Sequence, residues 1–363
     1  MKIIKSFLTK NPIVRFLLTS KTKFVSLFIV LFIFININSC NGVTEPEIQP
    51  GRRDYVWTID TLAIPFMSFS RIWGSAADDV WIVGPGGDLD KTIYHYDGVK
   101  WKTDGISRPL SLLSVWGFGK NNVWFGGMDG RLWYYDGNNL KEHSRFETTR
   151  EKNIGFQEIW GDSPSNIFAA GYSGDEENRT AVMAHFNGST WDITNFTNLK
   201  KYNFLRIRRA DKESKTYYIW AIKSDPITGD LVSILEYNGK ADIKLIYEGK
   251  DVIQSGAFIQ KIDNELYFVT GNSINKYSNN EFKQFLQIRF HNFGTQIFGR
   301  SKNDIFLRML DGIAHYNGSN IEYLYRFNGN ISITDAFLFD KEVFFLALDL
   351  TNGNDLIYHG KLN

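Results

Sequence analysis

A chain of 363 residues with 41 Lys and Arg against 40 Asp and Glu carries a formal charge of +1, and its one cysteine excludes an internal disulfide. Aromatic residues make up 15% of the chain, a share that suits sheets packed face to face with large rings between them. Helical periodicity is scarce after residue 50, and the rest is long for a single core. An all-β fold built from several small sheets is expected.

The first 39 residues read as an address rather than as structure. Lys2, Lys5, Lys10, Arg15, Lys21 and Lys23 form a basic leader without an acidic residue, followed by the apolar run Phe24 to Ile35 and by Ile37-Asn38-Ser39-Cys40. Twelve apolar residues fall short of the roughly 20 that span a bilayer but fit a signal-peptide core. With Ile at −3 and Ser at −1 of Cys40, the segment resembles a bacterial lipoprotein signal. That resemblance implies cleavage before Cys40 and a lipid anchor on it. A plain secretory signal and an uncleaved anchor helix are the alternatives. Asn41 is not the Asp that retains lipoproteins in the inner membrane, so the resemblance implies the outer membrane of the cell envelope, on either side of it. Residues 40–51 then form a polar, Pro-containing tether. Loss of the six leader cations leaves 35 basic against 40 acidic residues, about −5, which argues against a nucleic-acid partner.

From residue 52 a pattern repeats. Ile72-Trp73-Gly74, Asp79-Val80-Trp81, His95-Tyr96-Asp97-Gly98 and Trp101 make the first copy. Val115-Trp116-Gly117, Asn122-Val123-Trp124 and Tyr134-Tyr135-Asp136-Gly137 follow, then Ile159-Trp160-Gly161, Asn166-Ile167-Phe168 and His185-Phe186-Asn187-Gly188. The Trp-Gly pairs stand 43 and 44 residues apart, the length of one four-stranded propeller blade. Weaker copies run through Arg206 to Gly239, Phe258 to Tyr277, Ile297 to Gly318 and Phe337 to Gly360. Seven copies fit, each with strand signals a to d, starting with Ser70 to Trp73, Val80 to Val83, Ile93 to Tyr96 and the region of Trp101. The Asp/Asn-Gly after strand c signals a two-residue hairpin. The Gly after Trp in strand a marks a turn where a Cβ would be in the way. The last copy ends after its strand c, while Tyr55-Val56-Trp57-Thr58-Ile59 stands alone before the first. The expected architecture is therefore a seven-bladed β-propeller over residues 52–363, closed by the strand 55–59 completing the last blade. It is expected to be a monomeric domain.

The repeat resembles a large group of exported bacterial propellers, often of Bacteroidota type, with Trp-Gly, Asp-Val-Trp and His-Tyr-Asp-Gly motifs. The resemblance covers about residues 55 to 363 and implies an exported, often anchored protein, with no catalytic residues to carry over.

Chemistry is read mostly by elimination. His95, His185, His315 and His359 share one slot of strand c and are spread around the ring, so they read as structural rather than as metal ligands. Asp79, Asn122, Asn166 and Asp304 before strand b read as turn formers bonding the backbone. Arg206, Arg208 and Arg209 form a small basic cluster in one strand a, where they line a surface or pair with acids. Gly171-Tyr172-Ser173-Gly174-Asp175 falls short of a nucleophile elbow. No phosphate loop, zinc motif or calcium loop is present; neither a cofactor nor a metal is expected. Two features remain as candidate binding sites. Arg71, Ser114, Glu158, Arg206, Ala257, Gln296 and Asp335 share one position of the innermost strand, alternating with apolar neighbours, and would ring the axis. Of these, Arg71, Glu158, Arg206, Gln296 and Asp335 could hold a polar ligand or simply line a wet channel. The long b–c and d–a loops share one face and carry Asp88, Arg108, Asp175, Glu176 and Asp225, as a recognition surface or as solvated tips. The reading that follows is a binding or scaffold module that contacts a glycan or an envelope protein through the loop-rich face. A polysaccharide hydrolase or lyase acting at the same face is the alternative, recognisable by an axial pocket with close, desolvated carboxylates or an arginine cluster.

Overall fold

The computed structural model describes residues 51–363 except 110, 148–152, 226, 228, 240–242 and 253–255; the leader and Cys40 lie outside the described residues. Seven four-stranded antiparallel sheets form the blades of a propeller. In six of them the strands pair in sequence order. The first blade runs Arg71–Ala76, Asp79–Val83, Ile93–Tyr96 and Trp101–Lys102. Its strands occur where the alternation of apolar and polar residues placed them.

The seventh sheet closes the ring. Tyr55–Leu62 pairs antiparallel with the last strand, Asp355–Leu362, with Trp57 opposite Gly360. Tyr55 and Trp57 turn inward while Val56 and Thr58 are exposed. The Trp57 ring meets Tyr325 edge-on at 5.7 Å and Phe345 at 6.1 Å. Just upstream, Arg53 donates to the carbonyls of His315 (2.8 Å) and Asn320 (2.7 Å), so the latch also grips the sixth blade. Closure spares the ring a free edge at its two ends.

Two turn assignments divide. After strand c the chain makes a two-residue hairpin: Asp97 N donates to Lys100 O at 3.4 Å, with Gly98 at φ 89°. That positive φ at the first turn position is the reason for glycine. The Gly of Trp-Gly, by contrast, marks no turn. Strand a runs on through Gly117 to Gly119. A Cβ at Gly117 would lie 2.5 Å from the Trp73 ring of the preceding blade and 2.8 Å from Asn122 O. The glycine is a seat for the neighbouring blade's tryptophan.

The residues before strand b also differ from expectation. Asn122 accepts from Trp124 Nε1 at 2.9 Å, and the others serve the strand-c histidines rather than the turn backbone. His95 Nε2 lies 2.6 Å from Asp79 Oδ1, His185 2.7 Å from Asn166, His315 2.7 Å from Asp304 and His359 2.7 Å from Glu342. Three of these rings stack on the strand-b aromatic: His95 on Trp81, His185 on Phe168 and His359 on Phe344, with centroids 4.0–4.3 Å apart. Each pair ties strand b to strand c inside its own blade. Burial pushes the His315 pKa below its ordinary value against the pull of Asp304. A neutral ring donating from Nε2 to Asp304 and accepting Arg53 Nε–H at Nδ1 (3.3 Å) fits that direction.

Candidate functional site: an arginine–carboxylate cluster on the axis

The innermost strands do not run straight past the axis. A register irregularity interrupts them between Leu112 and Ser114, Phe156 and Glu158, Phe204 and Arg206, and Ile333 and Asp335. In the sixth blade it spans Phe293 to Ile297 and contains Gln296. Each irregularity sits immediately before or around the axial position. A bulge bends its strand and re-aims a side chain, and here it does so at the same slot in five blades.

The result is a cavity of about 430 Å³ whose walls include Arg71, Ser114, Glu158, Arg206 and Asp335. Arg206 stands at the centre of the cluster. It reaches Asp335 Oδ1 at 3.3 Å through Nη2 and Gln260 Oε1 at 2.7 Å through Nη1. Its Nε lies 4.0 Å from Glu158 Oε1. Glu158 accepts from Arg208 Nη1 at 2.9 Å and, with its other oxygen, from the Ile207 backbone N–H. Asp335 accepts the Ile72 N–H at 3.3 Å. Glu158, Arg206, Arg208 and Asp335 are all at most 7% exposed. Each carboxylate thus stitches its blade to the next one around the ring, the third to the fourth and the seventh to the first.

Burial also tunes the arginines. It lowers the Arg208 pKa to about 10, the repulsion of Arg206 adding to it and Glu158 opposing it. The Arg71 pKa is lowered by burial and by Arg206, against Asp335 and Glu158. Arg71 Nη1 donates to Ser70 O at 3.0 Å, and its Nε has no partner.

Of the axial residues named from sequence, Arg71, Ser114, Glu158, Arg206 and Asp335 come together. Ala257 is buried and Gln296 half-buried, and neither borders this cavity. Gln296 Oε1 is buried without a hydrogen-bond partner. Three further contributors stand outside the shared slot. Arg208 does pair with an acid, but inside the axial cluster rather than on a surface; Trp116 and Gln260 have no chemical role in the sequence reading. Gln260 stands three residues past Ala257, opposite Tyr267 as Gly74 is opposite Val80. A polar residue where other copies carry glycine is the available signal.

The long loops share a face, as the connections Gly174 N to Asn153 O (2.9 Å) and Arg108 N to Leu89 O (3.5 Å) require. The cavity opens on the opposite one: its mouth carries Phe118, Asp162, Lys212 and Asn264, from the far ends of strands a and the a–b turns. Asp88, Arg108, Asp175, Glu176 and Asp225 are therefore not part of it. Asp88 pairs with Lys91 at 2.9 Å, and Asp175 accepts the Asn178 N–H at 2.9 Å. Asp225 accepts the Ile227 N–H at 2.9 Å, and Glu176 is exposed. Arg108, 2.8 Å from Asp104, borders a separate cavity of about 370 Å³ with Trp81, His95 and Tyr135. The outer strand of the first blade, Trp101–Lys102, is only two residues long and leaves that gap beside the second blade. Among the described residues no three His, Cys, Asp or Glu side chains are placed to share a metal ion.

Fold and site together define the class: a closed seven-bladed propeller with a charged axial cavity. No protein-family model matches the chain, and no curated protein matches its sequence. Solved structures match the fold. YCF48 bound to D1 peptide superposes with a TM-score of 0.58 at 12% identity, covering 85% of this chain and 99% of that one. A catalytically inactive virginiamycin B lyase from Staphylococcus aureus with quinupristin gives 0.58 at 15% identity, covering 85% and 100%. The WD40 propeller domain of Doa1 gives 0.54 at 12%, covering 85% and 97%. At such identities the likeness is one of fold.

Proposed function

We propose that this chain is a binding module of the bacterial cell envelope, anchored at the outer membrane through acylated Cys40, which takes a glycan or an envelope protein at the axial cavity. The observation that carries the reading is the buried arginine–carboxylate cluster, gathered at the axis where five of the inner strands bulge, and opening to one face. A site held on rigid strands keeps its geometry without a ligand, as a binding module needs. Two of the propellers of like fold are described with a bound D1 peptide or with quinupristin, which supports a ligand here without naming it.

A second reading has one observation in its favour. The cluster meets the criterion set for a polysaccharide hydrolase or lyase, since arginines and two desolvated carboxylates share the pocket. Yet the oxygens of Glu158 and Asp335 already accept from guanidinium and backbone N–H groups. Neither is placed to exchange a proton with a bound molecule, so binding is favoured over turnover.

The test is fractionation and cross-linked co-purification from solubilised membranes. Wild-type chain is expected in the outer-membrane fraction with a partner attached, and Cys40→Ala in the soluble fraction. A wild-type chain that stays soluble and lacks acyl groups would refute the anchor. New reducing ends released from a polysaccharide by purified protein would favour the enzyme.

A further inference from the structure

The axial cavity is short of acceptors. Its walls bring three guanidinium groups, Arg71, Arg206 and Arg208, against two carboxylates, Glu158 and Asp335. The carboxylate oxygens are already taken up by guanidinium and backbone N–H donors. Three donors bordering the same cavity have no partner: Nε of Arg71, Nε of Arg206 and Nε1 of Trp116. Buried donors left unmet cost free energy that an arriving acceptor would recover.

Charge narrows the ligand. Lys212, Lys261 and Asp162 also line the cavity, so five cations face three carboxylates and leave two excess positive charges, which favour an anion. Inorganic phosphate would meet that charge but fill little of the space. A free amino acid would bring an ammonium group to a pocket whose carboxylates are already committed. Volume narrows it further: about 430 Å³ lies in the roughly 300–1,000 Å³ range of small-molecule sites and exceeds what a simple acid fills. Trp116 and Phe337 add apolar ring surface to the walls.

We propose that the axial cavity binds a hexuronate residue of a glycan, its carboxylate held by Arg71 and Arg206 and its ring set against Trp116 and Phe337. The unmet Nε atoms are buried, so the carboxylate engages Arg71 at Nη2, and Arg206 meets it by yielding its contact with Gln260. This rests on the reading of the cavity as the binding site and names its ligand class.

The experiment is calorimetric titration of the full-length chain with D-galacturonate, D-glucuronate, D-galactose and inorganic phosphate. A uronate is expected to bind at least about tenfold more tightly than galactose, the size of one charge-assisted contact, and more tightly than phosphate, which makes no use of the ring surface. Arg71→Gln removes the one axial arginine outside the ion pairs and should lose at least about tenfold in uronate affinity with an unchanged melting temperature. Trp116→Phe keeps the ring, removes the N–H donor and should weaken binding even if the first variant fails to fold. Uronates that do not bind, or that bind no better than galactose or phosphate, overturn the proposal. Should that happen while a partner still co-purifies from membranes, the ligand class falls and the binding module stands.

Discussion

Asp355 is the first residue of the last strand, and its carboxyl is 1% exposed. One oxygen accepts the Phe69 N–H at 3.0 Å, joining the seventh blade to the segment that enters the first; the other has no partner. Burial raises its pKa from 3.8 to about 7. The raised value sets the sign. Between pH 4 and 7 the unfolded chain has released this proton while the folded one keeps it, so this group's contribution to stability falls as pH rises and levels off above 7. A rise from 3.8 to about 7, at about 1.36 kcal/mol for each pH unit, amounts to about 4 kcal/mol at most. Asp355→Asn keeps an acceptor for Phe69 and removes the titration. Carboxylates held low in pKa, such as Asp79 and Asp304, have the opposite slope but are common to both proteins. The quantity to measure is therefore the difference in unfolding free energy between variant and wild type. Urea melts followed by tryptophan fluorescence from pH 4.5 to 8.5 should show the variant gaining on wild type by 2–4 kcal/mol, roughly, up to pH 7 and then no further. Parallel curves across that range would refute the buried-carboxyl argument.

Other changes probe the ring itself. Trp57→Ala removes a half-buried ring from the latch and should cost about 2–3 kcal/mol in chemical unfolding, with earlier proteolytic cleavage of residues 52–62. Full stability in that variant would mean that the closing strand is not held by its side chains. Gly117→Ala puts a methyl group into the Trp73 ring and should cost about 1–3 kcal/mol in urea melts; a variant as stable as wild type would show that the ring yields freely. Asp304→Ala leaves fully buried His315 without its acceptor and Arg300 without its ion partner, for a loss of about 1–3 kcal/mol by thermal or urea melts.

Seven blades and the latch were legible because both depend on periodicity, and a Trp-Gly pair every 43 or 44 residues survives drift in the residues between. The orphan strand at Tyr55 announced itself by lacking a copy and by matching the strand missing at the other end. Partners chosen across space were harder to read. Asp79 looks like a turn former because its neighbours in sequence form a turn, yet its side chain crosses to His95 on the next strand. Most of the axial site followed from one repeat slot, Arg71 through Asp335. Gln260 did not, because it stands three residues past the slot, where alternation assigns the other face. Arg208 falls on the face of Arg206, but other copies carry Trp or Phe at its position, such as Trp73, Trp116 and Phe337, so the repeat does not mark it as axial. The opening of the cavity away from the long loops was invisible for a related reason: loop length is written in the sequence, but the mouth of an axial cavity is set by which strand ends stay open.

The bulges explain why one slot does two jobs. A regular inner strand would point its residues at the blades on either side, and Glu158 or Asp335 there would be charges in a hydrophobic seam. With the strand kinked just before them, the same carboxylates reach the backbone N–H of Ile207 and Ile72 on the following blade. Strand a is the inner edge of its sheet, so its axis-facing N–H groups have no ladder partner, and a carboxylate from the preceding blade meets one of them. That stitching commits the two carboxylates, and committing them is what leaves the arginines in excess at the axis. Structure and site are therefore coupled: Glu158→Gln should weaken the ring and alter the axial charge together, whereas Arg71→Gln should alter the charge alone. A melting temperature that falls equally in both variants would separate the site from the bulges and undo this account.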